Sequence, residues 1–235
     1  MEKSAKLGKL TLLNIILFGF IGQVAWAVEN NFFNTFLFSF GGTTKDISTM
    51  VAASAVVAVV TTFVMGTLSD KLGRRKIFIC AGYVAWGITV MAFAFISREN
   101  LGKLIGADPS SAAALSATVT TVIVMECIMT FMGSTSNDSP FNAWITDVTV
   151  PSNRAKTEGL LAILPVLALV IVTGVFGFIA GDDAQASDYS TCFLGLGILV
   201  IICGIIGIFT IKDTSSGQKS EGNFFADLIY GFRPS

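Results

Sequence analysis

Three carboxylates lie within long apolar stretches of this 235-residue chain: Glu29, Glu126 and Asp138. If those stretches cross a membrane, each charge costs about 3 kcal/mol or more near the bilayer centre unless it is paired or hydrated, so an intramembrane acid is a functional-site hypothesis. No lysine or arginine lies deep within the same stretches. A buried acid that alternates between protonated and ionised forms can couple a cation to another process. We therefore predict a cation-coupling role among these three acids, with Glu29 as the third candidate.

Amide and indole side chains recur at helical spacing on two of the same stretches. In the first stretch they are separated by 3, 4 and 4 positions, which places them on one helix face beside Glu29. Such a stripe offers donors and acceptors for hydroxyl groups and a ring face for C–H groups, and it therefore suits a sugar. The predicted substrate-binding residues are Gln23, Trp26, Asn30, Asn34, Asn137 and Asp138. The alternative is that the asparagines hydrogen-bond across helices and that the indoles only pack.

The composition is typical of an integral membrane protein. Apolar residues make up 53% of the chain and charged residues only 13%, against about 25% charged residues in soluble domains. The net charge of −1 provides no field for nucleic acid. The chain has no histidine, and its four cysteines show neither metal-ligand nor disulfide spacing. We therefore expect lipid around the chain, and no metal, cofactor, nucleic-acid partner or enzymatic activity.

Six apolar segments are long enough to cross a bilayer, which needs about 20 residues of helix. They are continuous rather than alternating, which favours helices over barrel strands. The expected fold is an all-α bundle of six transmembrane helices within residues 1–211. A cytoplasmic tail follows at 212–235 and is predicted to contain a short amphipathic helix. The six segments are approximately 10–40, 47–68, 77–97, 112–146, 159–180 and 189–211.

Basic residues are unevenly distributed between the two sides of this six-helix map. Twelve of the 15 Lys and Arg residues fall in the tails and in the second and fourth loops, and three fall on the other side. By the positive-inside rule, both termini lie in the cytoplasm and the chain is a multi-pass protein of the inner (plasma) membrane. A leader cleaved near Ala27 would place one tail against this bias, so we expect the first segment to remain.

The loop between the second and third segments reads Gly-Thr-Leu-Ser-Asp-Lys-Leu-Gly-Arg-Arg-Lys over positions 66–76. Its glycines permit a close helix approach and a tight reversal. The loop resembles the signature of the major facilitator superfamily, Gly-x-x-x-Asp-Arg/Lys-x-Gly-Arg-Arg/Lys, at every defining position. The resemblance implies half of a twelve-helix fold, built from two inverted three-helix repeats. It also implies a gating role for Gly66, Asp70, Gly73, Arg74 and Arg75.

A second stretch resembles the fourth-helix end of the glycoside–pentoside–hexuronide:cation symporters, a branch that includes melibiose and sucrose transporters. It runs from Asp138 through Pro140 to Asp147 and Arg154. The resemblance implies that Asp138 faces sugar and that Asp147 and Arg154 belong to the cytoplasmic gate. Sodium-coupled members carry acids on the second helix where this chain has none, which favours a proton over sodium. Pro140 lacks a backbone donor and is expected to kink the fourth helix.

Together these features predict the N-terminal half of a secondary active transporter that moves a sugar or glycoside by proton or sodium symport and alternating access. Half of such a transporter cannot enclose a substrate site. The chain is therefore a fragment, or it pairs with a C-terminal six-helix half or with a second copy. The alternatives are a facilitator-superfamily transporter for a non-sugar solute, a six-helix channel, and a structural membrane protein that acts as an oligomer.

Overall fold

A computed structural model describes residues 7–180 and 186–213. In this part of the chain, six helical spans are long and apolar enough to cross a membrane. The predicted fold class, an all-α six-helix membrane bundle, is confirmed. A 3-10 turn follows the third helix at Phe93–Phe95, and a π-helix lies at Ser134–Asp138. The α-helices are α1 (Lys9–Ser39), α2 (Thr44–Leu72), α3 (Arg75–Ala92), α4 (Arg98–Ile105), α5 (Ala112–Gly133), α6 (Ser139–Val148), α7 (Pro151–Ala180) and α8 (Ala186–Thr210).

Helix α2 begins and ends at residues that satisfy its terminal backbone groups. The Thr43 hydroxyl accepts a hydrogen bond from the Asp46 N–H (3.3 Å), and the Asp46 carboxylate accepts one from the Thr43 N–H (2.8 Å). This reciprocal capping box fixes the first turn. At the other end Gly73 adopts the left-handed region (φ 60°), which stops the helix and reverses the chain into α3. The helix therefore extends beyond the predicted 47–68, because its polar ends are capped.

Two polar regions are more helical than the apolar pattern predicts. Helix α7 begins at Pro151 rather than at residue 159, because proline suits the first helical position and the polar residues after it fit an extramembrane turn. Residues 98–105 form α4, which the sequence analysis left as loop. Ser97 caps its start, and Gly106 in the left-handed region (φ 68°) stops it. A search for apolar segments detects only the membrane-spanning residues and misses these turns.

The fourth span is not one continuous helix. Helix α5 ends at Gly133, the π-helix covers Ser134–Asp138, and α6 follows with Pro140 in its first turn. Proline has no N–H to donate, so the carbonyl four residues before it loses its usual partner. A π-helical insertion is one way in which a helix accommodates such a break. The sequence analysis expects a kink at Pro140, and the structure has a π-helix immediately before the turn that contains this proline.

Helices α3 and α8 approach each other through glycine. A Cβ atom placed on Gly87 would lie 2.6 Å from the Gly197 carbonyl oxygen, so neither helix has room for a side chain there. Aromatic rings extend the same contact to α1. The Phe33 ring lies 4.5 Å from that of Phe93 and 5.0 Å from that of Phe193, measured between centroids. The three helices thus form one tightly packed core.

Helices α2 and α7 are the least covered. Only 17% and 22% of their most apolar windows are buried, against 50% for α1. Their exposed side chains are large and apolar, and examples are Val56, Val170 and Phe178. These faces are available to lipid or to another membrane protein.

The predicted amphipathic helix of the tail lies after residue 213 and therefore outside the described residues. The division of the chain into a bundle and a tail stays a prediction.

Replacing Gly87 with alanine is expected to destabilise the α3–α8 contact, because the new methyl group would overlap backbone atoms of α8. Overpacking of this kind costs about 1–3 kcal/mol. The matched control is Gly174→Ala, since no atom of the described chain lies within 4 Å of a Cβ at that position. Thermal unfolding in detergent should give a lower melting temperature for Gly87→Ala than for Gly174→Ala. Equal melting temperatures of the two variants would show that α3 and α8 are not closely packed at Gly87.

Candidate transport site

A chain of hydrogen bonds joins α1, the π-helix and α3 inside the bundle. Trp26 Nε1 donates to Asn137 Oδ1 (3.1 Å), and Asn137 Nδ2 donates to the Tyr83 hydroxyl (2.7 Å). That hydroxyl in turn donates to the Phe18 carbonyl (2.5 Å). Tyr83 and Asn137 are both buried. Their polar groups are paired, which is the condition for burying them without a large desolvation penalty.

Glycines allow the side chains of this network to meet. A Cβ atom on Gly22 of α1 would overlap the Asn137 amide, so only glycine lets the amide reach that depth. Gly133 similarly leaves space for two indoles, because its Cβ would lie 2.8 Å from Trp86 and 2.9 Å from Trp26. The centroids of those indole rings are 5.0 Å apart. The Trp26 ring is therefore packed against Trp86.

A small polar pocket lies beside the network, between α1, the π-helix with α6, and α7. Its volume is about 150 Å³. Asp138 at the end of the π-helix accepts a hydrogen bond from the Thr62 hydroxyl of α2 (3.3 Å). The polar lining residues are Gln23, Asn137, Asp138, Asn142 and Glu158. Apolar side chains such as Phe141 and Leu161 complete the wall, so the pocket suits a solute with both polar and apolar parts.

Two further acids meet between α1 and α5. The Glu29 and Glu126 carboxyl groups lie within hydrogen-bonding reach of each other. The Thr130 hydroxyl donates to Glu29 Oε1 (3.3 Å). Oε2 of each carboxyl is buried and receives no hydrogen bond from the described residues. Glu29 is six residues from Gln23, or about 9 Å farther along α1 at 1.5 Å per residue.

At the far end of α6, Arg75 joins three elements. Its guanidinium forms an ion pair with Asp70 at the end of α2 and another with Asp147 of α6 (3.3 Å). It also donates to Ser69 Oγ (2.6 Å). Side-chain exposure is 11% for Arg75 and 21% for Asp147, so water screens this part of the cluster only partly. We call these four residues the Arg75 cluster.

The other predicted gate residues have different positions. A Cβ atom on Gly66 would overlap the Ser139 side chain, so this glycine lets α2 approach the start of α6. Arg154 donates to the Thr146 carbonyl (3.1 Å) and to the Thr149 hydroxyl (3.3 Å), and it therefore closes the end of α6. Arg74 is exposed. The structure thus brings Asp70, Arg75 and Asp147 together and leaves Arg154 outside the cluster.

The comparison with family models identifies the architecture. The model of the Major Facilitator Superfamily matches residues 14–228. The chain belongs to the Major Facilitator Superfamily. Its facilitator-type loop and its six helical spans agree with this membership.

Among superfamily members, the chain is similar to Quinolone resistance protein NorA of Staphylococcus aureus. The two are 29% identical over a region that covers 79% of this chain and 42% of NorA. Multidrug resistance protein 2 of Bacillus subtilis is 21% identical over the same shares. The chain thus spans about two fifths of the length of these relatives. No solved structure matches the chain significantly. Neither relative is named as a sugar symporter, so the comparisons do not support the expected glycoside branch.

The polar pocket brings together half of the predicted substrate residues, namely Gln23, Asn137 and Asp138. Trp26 reaches the pocket only through its hydrogen bond to Asn137. Asn30 is exposed, and its amide donates to the Trp26 carbonyl of the same helix (2.8 Å). Asn34 is half-buried one turn farther along α1. The predicted amide stripe therefore does not form one continuous binding surface in this half.

The sequence analysis missed Tyr83. This residue could have been found, since it is a tyrosine within an otherwise apolar span and its buried hydroxyl requires a partner. The sequence analysis assigned no partner to Thr62 or Thr130. Their hydrogen bonds to Asp138 and Glu29 join different helices and become evident only in three dimensions.

Removing the Tyr83 hydroxyl is expected to destabilise the network, because Asn137 and the Phe18 carbonyl each lose a partner. A broken buried hydrogen bond of this kind costs about 1–3 kcal/mol. Tyr189→Phe is the matched control, since Tyr189 is also buried and its hydroxyl makes no hydrogen bond with the described residues. Tyr83→Phe should lower the melting temperature clearly more than Tyr189→Phe. If both changes lower the melting temperature equally, the hydrogen-bond network contributes little to the stability of the bundle.

Proposed function

We propose that the chain forms one half of a secondary transporter that moves a small, amphipathic, non-sugar solute by alternating access. The observation that carries the proposal is the superfamily match over residues 14–228, together with relatives named for quinolone and multidrug resistance. Resistance conferred by a transporter requires outward movement of the drug. Export is therefore the proposed direction.

The pocket supports a solute of mixed polarity better than a sugar. A sugar site needs many unpaired donors and acceptors and an accessible aromatic face. Here the Trp26 ring packs on Trp86, its N–H is donated to Asn137, and the Asn30 amide is bonded within its own helix. The remaining lining combines two carboxylates and amides with Phe141 and two leucines. This combination can contact polar and apolar parts of a solute, and a cavity of about 150 Å³ holds only part of a drug-sized molecule in this half.

A second half is required for this function. In the twelve-helix fold the substrate lies near the membrane midplane between two halves that rock against each other. The chain covers only 42% of its relatives, and α2 and α7 leave most of their apolar surface uncovered. We propose that a C-terminal six-helix half or a second copy of the chain packs on these faces.

Coupling to a cation is part of the proposal, with Glu126, Asp138 and Glu29 as candidates. Their positions in the membrane-spanning part of the bundle suit a group that gains and loses charge during transport. A proton is favoured over sodium, because the α2 side chain that hydrogen-bonds Asp138 is the neutral hydroxyl of Thr62. A second helix bearing carboxylates would be better suited to a metal cation.

The proposed orientation places both termini and the Arg75 cluster on the cytoplasmic side of the plasma membrane. Support comes from the excess of basic residues in the second and fourth loops and in the tails. The Arg75 cluster then closes the cytoplasmic ends of α2, α3 and α6 in the state seen here. Opening that end breaks these ion pairs, so the cluster biases the balance between inward- and outward-facing states.

Labelling of single introduced cysteines tests the orientation. Ser152 and Ser110 are both exposed and lie on opposite sides of the predicted membrane. In intact cells, a membrane-impermeant thiol reagent should modify Ser110→Cys and spare Ser152→Cys until the membrane is opened. The parent chain, with its four native cysteines, gives the background level of labelling. Labelling of Ser152→Cys from outside intact cells would contradict the proposed orientation of the six helices.

Transport in proteoliposomes tests the function. The chain is reconstituted alone and with the C-terminal half of NorA, and movement of a fluorescent quinolone and of labelled melibiose is followed. We expect quinolone accumulation driven by a pH gradient in at least one preparation, and at least a tenfold lower rate for Asp138→Asn. Glu99→Gln is the control, because Glu99 is exposed in α4 and forms an ion pair with Lys103 of the same helix.

The two competing functions have distinct outcomes in the same vesicles. Melibiose counterflow without quinolone movement would establish the sugar symporter and overturn the proposal. Ohmic single-channel currents would establish a channel.

A further inference from the structure

Glu29 and Glu126 come from different helices and meet in an apolar part of the bundle. Glu126 is only 3% exposed, and its neighbours one turn away, Val122 and Met129, are fully buried. Among the described residues, no lysine or arginine forms an ion pair with either acid. The Thr130 hydroxyl, bonded to Glu29 Oε1, is the one hydrogen-bond donor that the described chain supplies to the pair.

Two ionised carboxylates cannot be stable in this arrangement. An ionised Glu126 would bring a negative charge into a low-dielectric region, and an ionised Glu29, which is half-buried, would repel it at hydrogen-bonding distance. Each also has one buried oxygen without a donor, and an unpaired buried polar atom of this kind is itself costly. One added proton removes both problems, because a protonated carboxyl donates its O–H to the facing carboxylate oxygen.

We propose that Glu29 and Glu126 form a proton-binding site that holds one shared proton in the state described here. The net charge of the occupied site is −1, and the Thr130 hydroxyl stabilises the carboxylate that remains. The other titratable groups near the pair are Asp138 and Cys127. Both are neutral or negative, so neither replaces the missing positive charge.

A metal cation fits the pair less well than a proton. Hard cations take about six or more oxygen ligands, whereas two carboxyl groups and one hydroxyl are the polar side-chain groups found here. No cluster of three or more potential metal-ligating side chains exists in residues 7–180 and 186–213. The proton requires only the two facing oxygens.

The coupling role of this site rests on the proposed function, whereas proton binding itself does not. A proton enters from the acidic side, binds the pair, and leaves to the other side when the helices rearrange. Asp138 lies in the polar pocket, twelve residues from Glu126. In this proposal the proton binds at the Glu29–Glu126 pair and the solute binds in the pocket, and Asp138 is close to both.

Infrared difference spectroscopy of the full chain in lipid at neutral pH tests proton binding. The Glu29→Gln/Glu126→Gln double variant should lose one protonated-carboxyl band and one carboxylate band relative to the parent. The control Glu99→Gln should lose a carboxylate band only, because Glu99 is exposed. Loss of two carboxylate bands, or of two protonated bands, in the double variant would overturn the shared proton.

Two measurements cover the case in which the double variant does not fold. On the parent chain, the protonated band should persist when choline is replaced by sodium, and its loss would establish a sodium site and overturn the proposal. In an alkaline titration of the parent membranes, the protonated band should convert into a carboxylate band with release of one proton, and a protonated band that does not convert would also overturn it. In transport assays, the single variants should lose accumulation but keep exchange. If the spectra agree with these expectations but no transport is observed, the proposed function is refuted and the proton-binding site still stands.

Discussion

The buried Asn137 amide is the interaction on which the rest of this half depends. An amide in an apolar bundle is tolerated only when its polar atoms are paired, and here the partners come from α1 and α3. Meeting them fixes the rotation of α1, requires Gly22 at the contact, and holds the π-helix in place. The extra residue of the π-helix shifts the phase of α6 by about 100° relative to α5, the angle that one helical residue covers. That shift decides which α6 side chains face the pocket.

Helix α6 connects the two parts of the molecule that a transporter must coordinate. Asp138 at its start lines the pocket, and Asp147 near its end belongs to the Arg75 cluster. The nine positions from one to the other span about 13.5 Å of helix. Because α6 is short, is separated from α5 by the π-helix and has Pro140 in its first turn, the same short helix carries a residue of the pocket and a residue of the Arg75 cluster. Under the proposed function, a movement of α6 would affect both.

The sequence was sufficient for the fold class and for the reversal of the chain at Gly73, but not for the pairing of side chains across helices. Long apolar runs require membrane helices, and the order of Gly66, Asp70 and Gly73 requires a tight helix reversal. The Glu29–Glu126 contact depends on the rotation and depth of two helices separated by almost a hundred residues, and no local pattern encodes these. The helical spacing expected for polar side chains on the fourth span also assumed an unbroken α-helix, and the π-helix at Ser134–Asp138 changes that spacing.

The resemblance to glycoside symporters illustrates which kind of residue carries information about substrate. Pro140 interrupts the fourth span, Asp147 binds Arg75, and Arg154 closes the end of α6. These three residues match the symporter pattern, and all of them hold helix ends together. Any superfamily member that rocks about the same joints needs groups of this kind, whatever it carries. Under the proposed function, substrate choice depends instead on side chains that face the pocket. Of these, Asp138 belongs to the matched stretch, whereas Gln23 and Glu158 lie outside it.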